Sequence, residues 1–211
     1  MEIKNKKINF LGDSITEGVG VSAPEFKYVE VFKRKFEPAV VRNYGISGTR
    51  IARQYTPYPN PRFDLDFCSR VAEMDEDADI VVVFGGTNDF GHGDAPFGAP
   101  EDRTKDTFYG ACHELMTSLI ERFPTATIVF MTPLHRAVEE QPNKQPLSAY
   151  VHAIREVAEI YAIPVLDLYA TSGIQPQLAV HREAYAPDGL HPNNAGAKKL
   201  ADRLGSFLLS L

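Results

Sequence analysis

The sequence has only two cysteines among its 211 residues, no long apolar run and no excess of positive charge. Cys68 and Cys112 cannot form a disulfide framework, which fits a reducing compartment. No apolar stretch approaches the roughly 18 residues that a membrane span requires. The 22 Lys and Arg residues against 28 Asp and Glu residues give a net charge of −6. This acidic balance argues against nucleic acid or a membrane as the main partner.

Motifs for export and for cofactor binding are missing as well. Residues 1–7 are not followed by an apolar segment of signal-peptide type, so we expect a cytoplasmic protein, although a secreted chain whose signal has been removed would look the same. No His-Glu-x-x-His or Cys-x-x-Cys spacing occurs, and we therefore expect no metal. Gly18-Val19-Gly20 lacks the third glycine of a dinucleotide fingerprint, so we expect no cofactor.

What is present is a regular alternation of strand-like and helix-like patterns. Strands are predicted at residues 8–11, 40–44, 80–84, 127–131 and 164–168, with amphipathic helices from about residue 25, over 108–123, over 147–161 and over 200–211. The run Ile80-Val81-Val82-Val83-Phe84 is apolar at every position, which is typical of a parallel strand buried on both faces. The pattern predicts one α/β domain over residues 1–211, with a five-stranded parallel sheet inside a three-layer α/β/α fold.

Polar residues that could perform chemistry follow the predicted strands. Ser14 follows the first strand, Gly48 the second and Asn88 the third, and Asp188 and His191 lie in the last loop before the closing helix. Ligands of an open parallel sheet bind beyond the carboxyl ends of the strands, so these five residues should converge at one edge. A set of this composition is suited to acyl transfer.

Each of these residues has a distinct chemical role in that hypothesis. The imidazole of His191 could remove the proton from the Ser14 hydroxyl, and Asp188, three residues earlier, could fix the histidine tautomer. The backbone N–H groups of Ser14 and Gly48 and the side-chain amide of Asn88 could stabilise the negative charge that develops on a carbonyl oxygen.

Simpler structural roles remain open for the same residues. Ser14 could be a helix N-cap, Asn88 a turn residue, and Asp188 with His191 a turn-stabilising pair. The serine also lacks the Gly-x-Ser-x-Gly context of the α/β-hydrolase nucleophile elbow. For Asp13, a structural role is favoured over a catalytic one.

Four sequence blocks together resemble the GDSL esterase/lipase family, also called SGNH hydrolases. They are Gly12-Asp13-Ser14-Ile15, Asn43-Tyr44-Gly45-Ile46-Ser47-Gly48, Gly86-Thr87-Asn88-Asp89 and Asp188-Gly189-Leu190-His191-Pro192. The blocks occur in the family order and span residues 12–192. The resemblance implies a flavodoxin-like fold, no metal, and a small-molecule ester as substrate. It also implies Ser14 as nucleophile, Asp188 and His191 as its partners, and Ser14, Gly48 and Asn88 as the oxyanion hole. Ile15 replaces the leucine of the family name, a volume-conserving change.

The choice of ester is expected to depend on loops 55–61, 91–100 and 133–146. The predicted substrate-binding residues are Asp13, Tyr55, Phe90, His92 and His135, and the wider candidate lining adds Tyr58, Phe97, Arg136 and Tyr185. This mixture of aromatic and polar side chains favours a short acyl group, such as acetyl, on a carbohydrate. The alternatives are a thioesterase or lysophospholipase with the same triad, and a non-catalytic carbohydrate-binding relative.

Overall fold

The computed structural model of the chain describes residues 1–211 and contains five strands and nine helices. The strands are β1 (Lys7–Gly12), β2 (Val40–Gly45), β3 (Ile80–Phe84), β4 (Thr127–Met131) and β5 (Val165–Leu166). The helices are α1 (Ser14–Glu17), α2 (Tyr28–Phe36), α3 (Phe67–Arg70), α4 (Thr87–Gly91), α5 (Phe108–Arg122), α6 (Leu147–Ile160), α7 (Leu168–Thr171), α8 (Ala179–Tyr185) and α9 (Asn194–Ser210). Short 3₁₀ segments occur at Pro24–Phe26, Pro61–Asp64 and Val71–Glu73.

All five strands pair in parallel in the order β2-β1-β3-β4-β5, which confirms the predicted α/β class. The register aligns the last residues of the three neighbouring strands β2, β1 and β3, because Gly12 pairs with Gly45 on one side and with Phe84 on the other. The loops that follow these strands therefore start side by side at one edge of the sheet.

The two faces of the sheet carry separate apolar cores. On β3, Val81 and Val83 belong to the core that includes α5 and α6. Ile80, Val82 and Phe84 belong to the core that includes α2 and α9. This alternation explains why every residue of the strand is apolar, since both faces are covered. None of the nine helices combines the length and the apolar character that crossing a membrane would require.

Several element boundaries differ from the predicted ones for local reasons. The helix expected from about residue 25 divides at Lys27, whose ψ of 139° separates the 3₁₀ turn from α2. Strand β5 contains two residues instead of five. Helix α9 begins at residue 194, earlier than predicted, because the Asn193 side chain caps it by accepting hydrogen bonds from the N–H groups of Ala195 and Gly196.

Candidate active site

The serine lies at the sharp connection between β1 and α1. Asp13 caps the helix, with its Oδ1 accepting the N–H of Ile15 at 2.9 Å, and Ser14 is the first helical residue. The first N–H groups of a helix have no partner within it, and the N–H of Ser14 donates to no group of the protein. Ser14 is 6% exposed, so its hydroxyl lies in a restricted opening.

The histidine is held by a short turn that its neighbouring aspartate closes. Asp188 Oδ1 accepts the N–H of Leu190 at 2.9 Å and that of His191 at 2.7 Å, and its Oδ2 lies 2.7 Å from Nδ1 of the imidazole. Although partial burial opposes it, these hydrogen bonds lower the pKa of Asp188 below its usual range. Gly189 has a φ of +81°, and an added Cβ there would come within 2.5 Å of Ala137 Cβ. The turn therefore requires glycine at this position.

A continuous relay connects the serine to the aspartate. Nε2 of His191 lies 3.0 Å from Oγ of Ser14, although 177 residues separate the two in sequence. Because the carboxylate of Asp188 accepts the Nδ1 proton, Nε2 is left as the acceptor that faces the serine hydroxyl. The structure thus brings together the three side chains in the arrangement that nucleophilic acyl transfer needs.

Candidate donors for an oxyanion lie in the loops after β2 and β3. Gly48 adopts a φ of +74°, and its N–H donates to no group of the protein. The amide of Asn88 donates one proton to the Thr49 carbonyl at 2.9 Å, which leaves its second proton available. The first and second loops are joined by a 3.1 Å hydrogen bond from Ile46 N–H to the Gly12 carbonyl. The three predicted donors therefore share one edge of the sheet.

Buried charged side chains hold this edge together. Arg70 donates to the Gly12 carbonyl at 3.2 Å and to the Thr49 hydroxyl at 3.0 Å. The two carboxylate oxygens of Asp89 accept the N–H groups of Ile51 and Ala52 at 3.0 and 2.9 Å. Burial dominates their ionisation: it raises the pKa of Asp89 to about 6 and lowers that of Arg70 to about 10. Burial likewise raises the pKa of Asp13, beside the serine, to about 7.

A second hydrogen-bond network that holds this edge was not predicted from the sequence. Glu17, one helical turn beyond Ser14, accepts the N–H of Ser47 at 2.7 Å as well as its hydroxyl. The Arg62 guanidinium donates to the other carboxylate oxygen at 2.6 Å. Ser47 immediately precedes Gly48, so this network fixes the loop that carries one candidate oxyanion donor. Its members lie far apart in sequence, and no local pattern indicates their contact.

Two of the predicted substrate contacts are wrong. Phe90 is 0% exposed and packs edge-on against Tyr150 in the core, with Arg136 over its ring, so no substrate can reach it. Asp13 is 1% exposed, and its capping role leaves no surface for a substrate. Phe97, from the wider lining, is half-buried, packs against the core and stacks on Phe108.

The other predicted contacts lie on accessible surface. Tyr55 is exposed and donates its hydroxyl to the Asp106 carbonyl at 3.1 Å. His92 is exposed, and its Nδ1 lies 3.0 Å from the Tyr58 hydroxyl. His135 is half-buried and pairs with Glu139 at 2.7 Å. Tyr185 lies under the Lys199 ammonium, 4.8 Å from ring centre to nitrogen. Their contact with substrate stays a prediction. No group of three or more His, Cys, Asp or Glu side chains is placed to hold a metal ion.

Comparison with known proteins gives matches over most of the chain. The sequence matches the GDSL-like lipase/acylhydrolase family over residues 10–199. One solved crystal structure is 36% identical, covers 100% of this chain and 99% of its own, and superposes with a TM-score of 0.88. A Lactobacillus plantarum protein is 32% identical over 99% of this chain and 98% of its own, with a TM-score of 0.87. A two-domain esterase active on acetylated mannans shares the fold at 20% identity and a TM-score of 0.64, over 97% of this chain and 48% of that protein. No curated protein matches the sequence.

Proposed function

This chain belongs to the GDSL-like lipase/acylhydrolase family of ester-bond hydrolases, and from that premise we propose that it is a serine esterase for short acyl esters. Ser14 is its nucleophile, His191 its general base and Asp188 the residue that orients the base. The observation that carries the proposal is the relay from Ser14 Oγ through the imidazole to Asp188, with distances of 3.0 and 2.7 Å.

Acylation of the enzyme begins at the serine hydroxyl. As the Ser14 oxygen forms a bond to the ester carbonyl carbon, its proton passes to Nε2 of His191. The carbonyl oxygen becomes an oxyanion, which accepts hydrogen bonds from the N–H groups of Ser14 and Gly48 and from the Asn88 amide. When the tetrahedral intermediate collapses, the carbon–oxygen bond to the alcohol breaks, and the imidazolium returns its proton to that leaving oxygen. The acyl group stays on Ser14.

Deacylation repeats these steps with water in place of the serine. His191 takes a proton from the water as its oxygen bonds to the acyl carbon, and the same donors hold the oxyanion. Collapse breaks the bond to Ser14 Oγ, which recovers its proton from the imidazolium. The carboxylic acid leaves, and the free enzyme is restored with no cofactor consumed.

We propose an acetyl or similarly short acyl group on a carbohydrate as the substrate class. The accessible residues on the loop side of the site, Tyr58, His92 and Arg136, are polar and carry hydrogen-bonding groups suited to a hydroxylated ring. The fold shared with the esterase active on acetylated mannans supports the same class.

Hydrolysis of a p-nitrophenyl ester series from acetyl to octanoyl tests this function. The wild type should hydrolyse the acetyl ester fastest, Ser14→Ala should be inactive, and Ser206→Ala, which changes an exposed serine of α9, should match the wild type. A fluorophosphonate probe should label the wild type and leave Ser14→Ala unlabelled. Rates that rise steadily with chain length would overturn the short-acyl assignment and favour a lysophospholipase or thioesterase. Labelling that persists in Ser14→Ala would overturn the nucleophile.

A further inference from the structure

Arg136 lies between the two halves of the active site. Its Nη1 donates to the carbonyl of Thr87 at 3.0 Å and contacts the Thr87 hydroxyl at 3.3 Å, directly before the oxyanion donor Asn88. The next residue, Ala137, donates its N–H to the Gly189 carbonyl at 2.8 Å, inside the turn that carries Asp188 and the histidine. The segment that carries Arg136 therefore contacts both sides of the active site.

Half of the guanidinium has no partner in the protein. Nη1 makes the contacts to Thr87, whereas Nε and Nη2 of Arg136 donate to no protein group, and neither is sealed from solvent. The guanidinium forms no ion pair. Glu139, the nearest acid in sequence, instead accepts the backbone N–H of Arg136 at 3.0 Å, the His135 imidazole and the Tyr169 hydroxyl. The Nε and Nη2 protons point in parallel from one edge, which is the geometry that binds a carboxylate through two hydrogen bonds.

The free edge is also held in one orientation. The guanidinium carbon lies 5.2 Å from the centre of the Phe90 ring, a cation–π distance, and the Thr87 contacts fix the opposite side of the group. Because the side chain is already ordered, little conformational entropy would be lost when a ligand binds. The residue that the sequence suggested as a substrate contact, Phe90, thus acts as a platform for Arg136.

Charges of both signs lie near Arg136: the acids Glu139, Asp13 and Asp188 act on its guanidinium, and Lys144 is a neighbouring cation. Although part of His92 is exposed, partial desolvation of its imidazole together with the nearby cations Arg50, Lys144 and Arg136 lowers its pKa to about 4. Arg50 has an acid partner, Asp64, at 3.8 Å, and the Lys144 ammonium donates to three backbone carbonyls. Nε of Arg50 also has no partner, but it is buried, so Arg136 is the cation of this group whose unused donors are open to solvent.

We propose that Arg136 selects esters that carry a carboxylate close to the scissile bond, as an O-acetylated hexuronic acid does. The Nε and Nη2 protons hold that carboxylate by two charge-assisted hydrogen bonds while the ester carbonyl lies in the oxyanion hole. The proposal rests on the esterase function argued above. It predicts an enzyme that discriminates acidic from neutral sugar esters, in addition to short from long acyl groups.

A purely structural role for Arg136 makes a different prediction. If the side chain only tied its loop to α4 through Thr87, its loss would displace Asn88 and lower kcat for every ester by the same factor. A carboxylate-binding role instead raises KM mainly for the acidic substrate. The ratio of kcat/KM for the two substrates separates these roles.

The test compares an O-acetylated hexuronic acid with the corresponding neutral O-acetylated hexose. The wild type should prefer the acidic ester, and Arg136→Gln should lower the acidic-to-neutral ratio of kcat/KM by about 10-fold or more, because two charge-assisted hydrogen bonds are lost. Arg136→Lys, which keeps the charge without the planar fork, should recover part of the ratio. Arg34→Gln, the same change at an exposed arginine of α2, should leave the ratio unaltered. A ratio that Arg136→Gln leaves unchanged would overturn the proposal.

A binding measurement distinguishes failure of this proposal from failure of the esterase function. Titration of the free hexuronate into Ser14→Ala, followed by NMR or calorimetry, requires no turnover. Binding that is tighter than for the neutral hexose, weakens as salt is added and disappears in Ser14→Ala/Arg136→Gln would support the role of Arg136 even if no ester were hydrolysed. Equal affinity for the two sugars would contradict it even if both esters were hydrolysed.

Discussion

The two halves of the active site are built in different ways. On the oxyanion side, Ser14, Gly48 and Asn88 follow three adjacent strands and are tied together by buried groups such as Arg70 and Asp89, which contact backbone far away in sequence. On the base side, Asp188 and His191 occupy one short turn, and the Asp188 side chain is 54% exposed. Contacts from distant parts of the chain position the oxyanion side, whereas hydrogen bonds within one short turn largely position the base side.

This difference follows from what each side must do. Oxyanion donors act through fixed positions, so they gain from a rigid, buried frame that does not reorganise during the reaction. A base that accepts and returns a proton needs the correct tautomer and access to the serine, and three hydrogen bonds to one neighbouring carboxylate supply both. Substitutions on the base side should therefore reduce turnover with little effect on stability, while removal of an oxyanion donor and its hydrogen bonds should reduce both.

The largest expected effect is the loss of either partner of the relay that joins the two sides. Ser14→Ala and His191→Ala should each lower kcat by roughly 10⁴ or more, and the double variant should lose no more than either single one, because the nucleophile and base act as a unit. Measurement of kcat with p-nitrophenyl acetate for the three variants checks this. Losses that multiply in the double variant would show that the two residues act independently.

Asp188→Asn tests the base side alone and should lower kcat by roughly 10³ to 10⁴. The amide nitrogen would face Nδ1 and favour the tautomer whose Nε2 proton points at the serine, where an acceptor is needed. The melting temperature should change little, because Oδ1 can still accept the two backbone N–H groups of the turn. A large fall in melting temperature would mean that this turn is integrated into the fold as tightly as the oxyanion side.

The base side was also the easier one to predict from sequence. Asp188 and His191 are three residues apart, and that spacing alone indicates their contact. Ser14, Gly48 and Asn88 were predicted to converge because the carboxyl ends of parallel strands meet at one edge. The groups that hold them could not be predicted, because their contacts are long-range: Arg70 is 58 residues from the Gly12 carbonyl that it binds. Likewise, 30 residues separate Glu17 from Ser47.

The errors among the substrate contacts have a related cause. A position in a loop beside a catalytic block indicates that a residue is close to the site, but not where its side chain points. Phe90 is two residues beyond Asn88, on the short helix α4, and turns into the core against Tyr150. His92 follows the end of the same helix and is exposed, with Tyr58 against its ring. The direction of each side chain depends on helix α4. This helix is too short for a hydrophobic period in the sequence to reveal it.

Asn88→Ala tests the oxyanion side and should affect activity and stability together. Removing one oxyanion donor costs about 10²–10³ in kcat. The Thr49 carbonyl would also lose the 2.9 Å hydrogen bond from the amide, at a cost of about 1–3 kcal/mol if it stays buried without a partner. Steady-state kinetics and thermal denaturation of the same sample measure both. A loss of activity without a loss of stability would contradict the prediction that both fall together on the oxyanion side.

The smallest effect concerns the buried carboxyls of the oxyanion side and depends on pH. Burial raises the pKa of Asp13 to about 7 and that of Asp89 to about 6, so the folded chain binds these protons more tightly than the unfolded chain. Their contribution to stability is therefore complete below about pH 4, the usual pKa of an aspartate, and is lost as pH rises towards 7. Asp13→Asn removes a charge that opposes folding at high pH.

The two asparagine variants should respond oppositely, because the carboxyls have different partners. In Asp13→Asn the amide oxygen can still cap Ile15, so the melting temperature should exceed that of the wild type at pH 8 and approach it at pH 4.5. In Asp89→Asn one of the two backbone N–H groups faces an amide NH₂, which should destabilise the fold by about 1–3 kcal/mol. Melting curves from pH 4.5 to 8 compare them. An Asp13→Asn protein less stable than the wild type at pH 8 would show that the ionised carboxylate stabilises the oxyanion side, and that its burial is compensated by the cation Arg70.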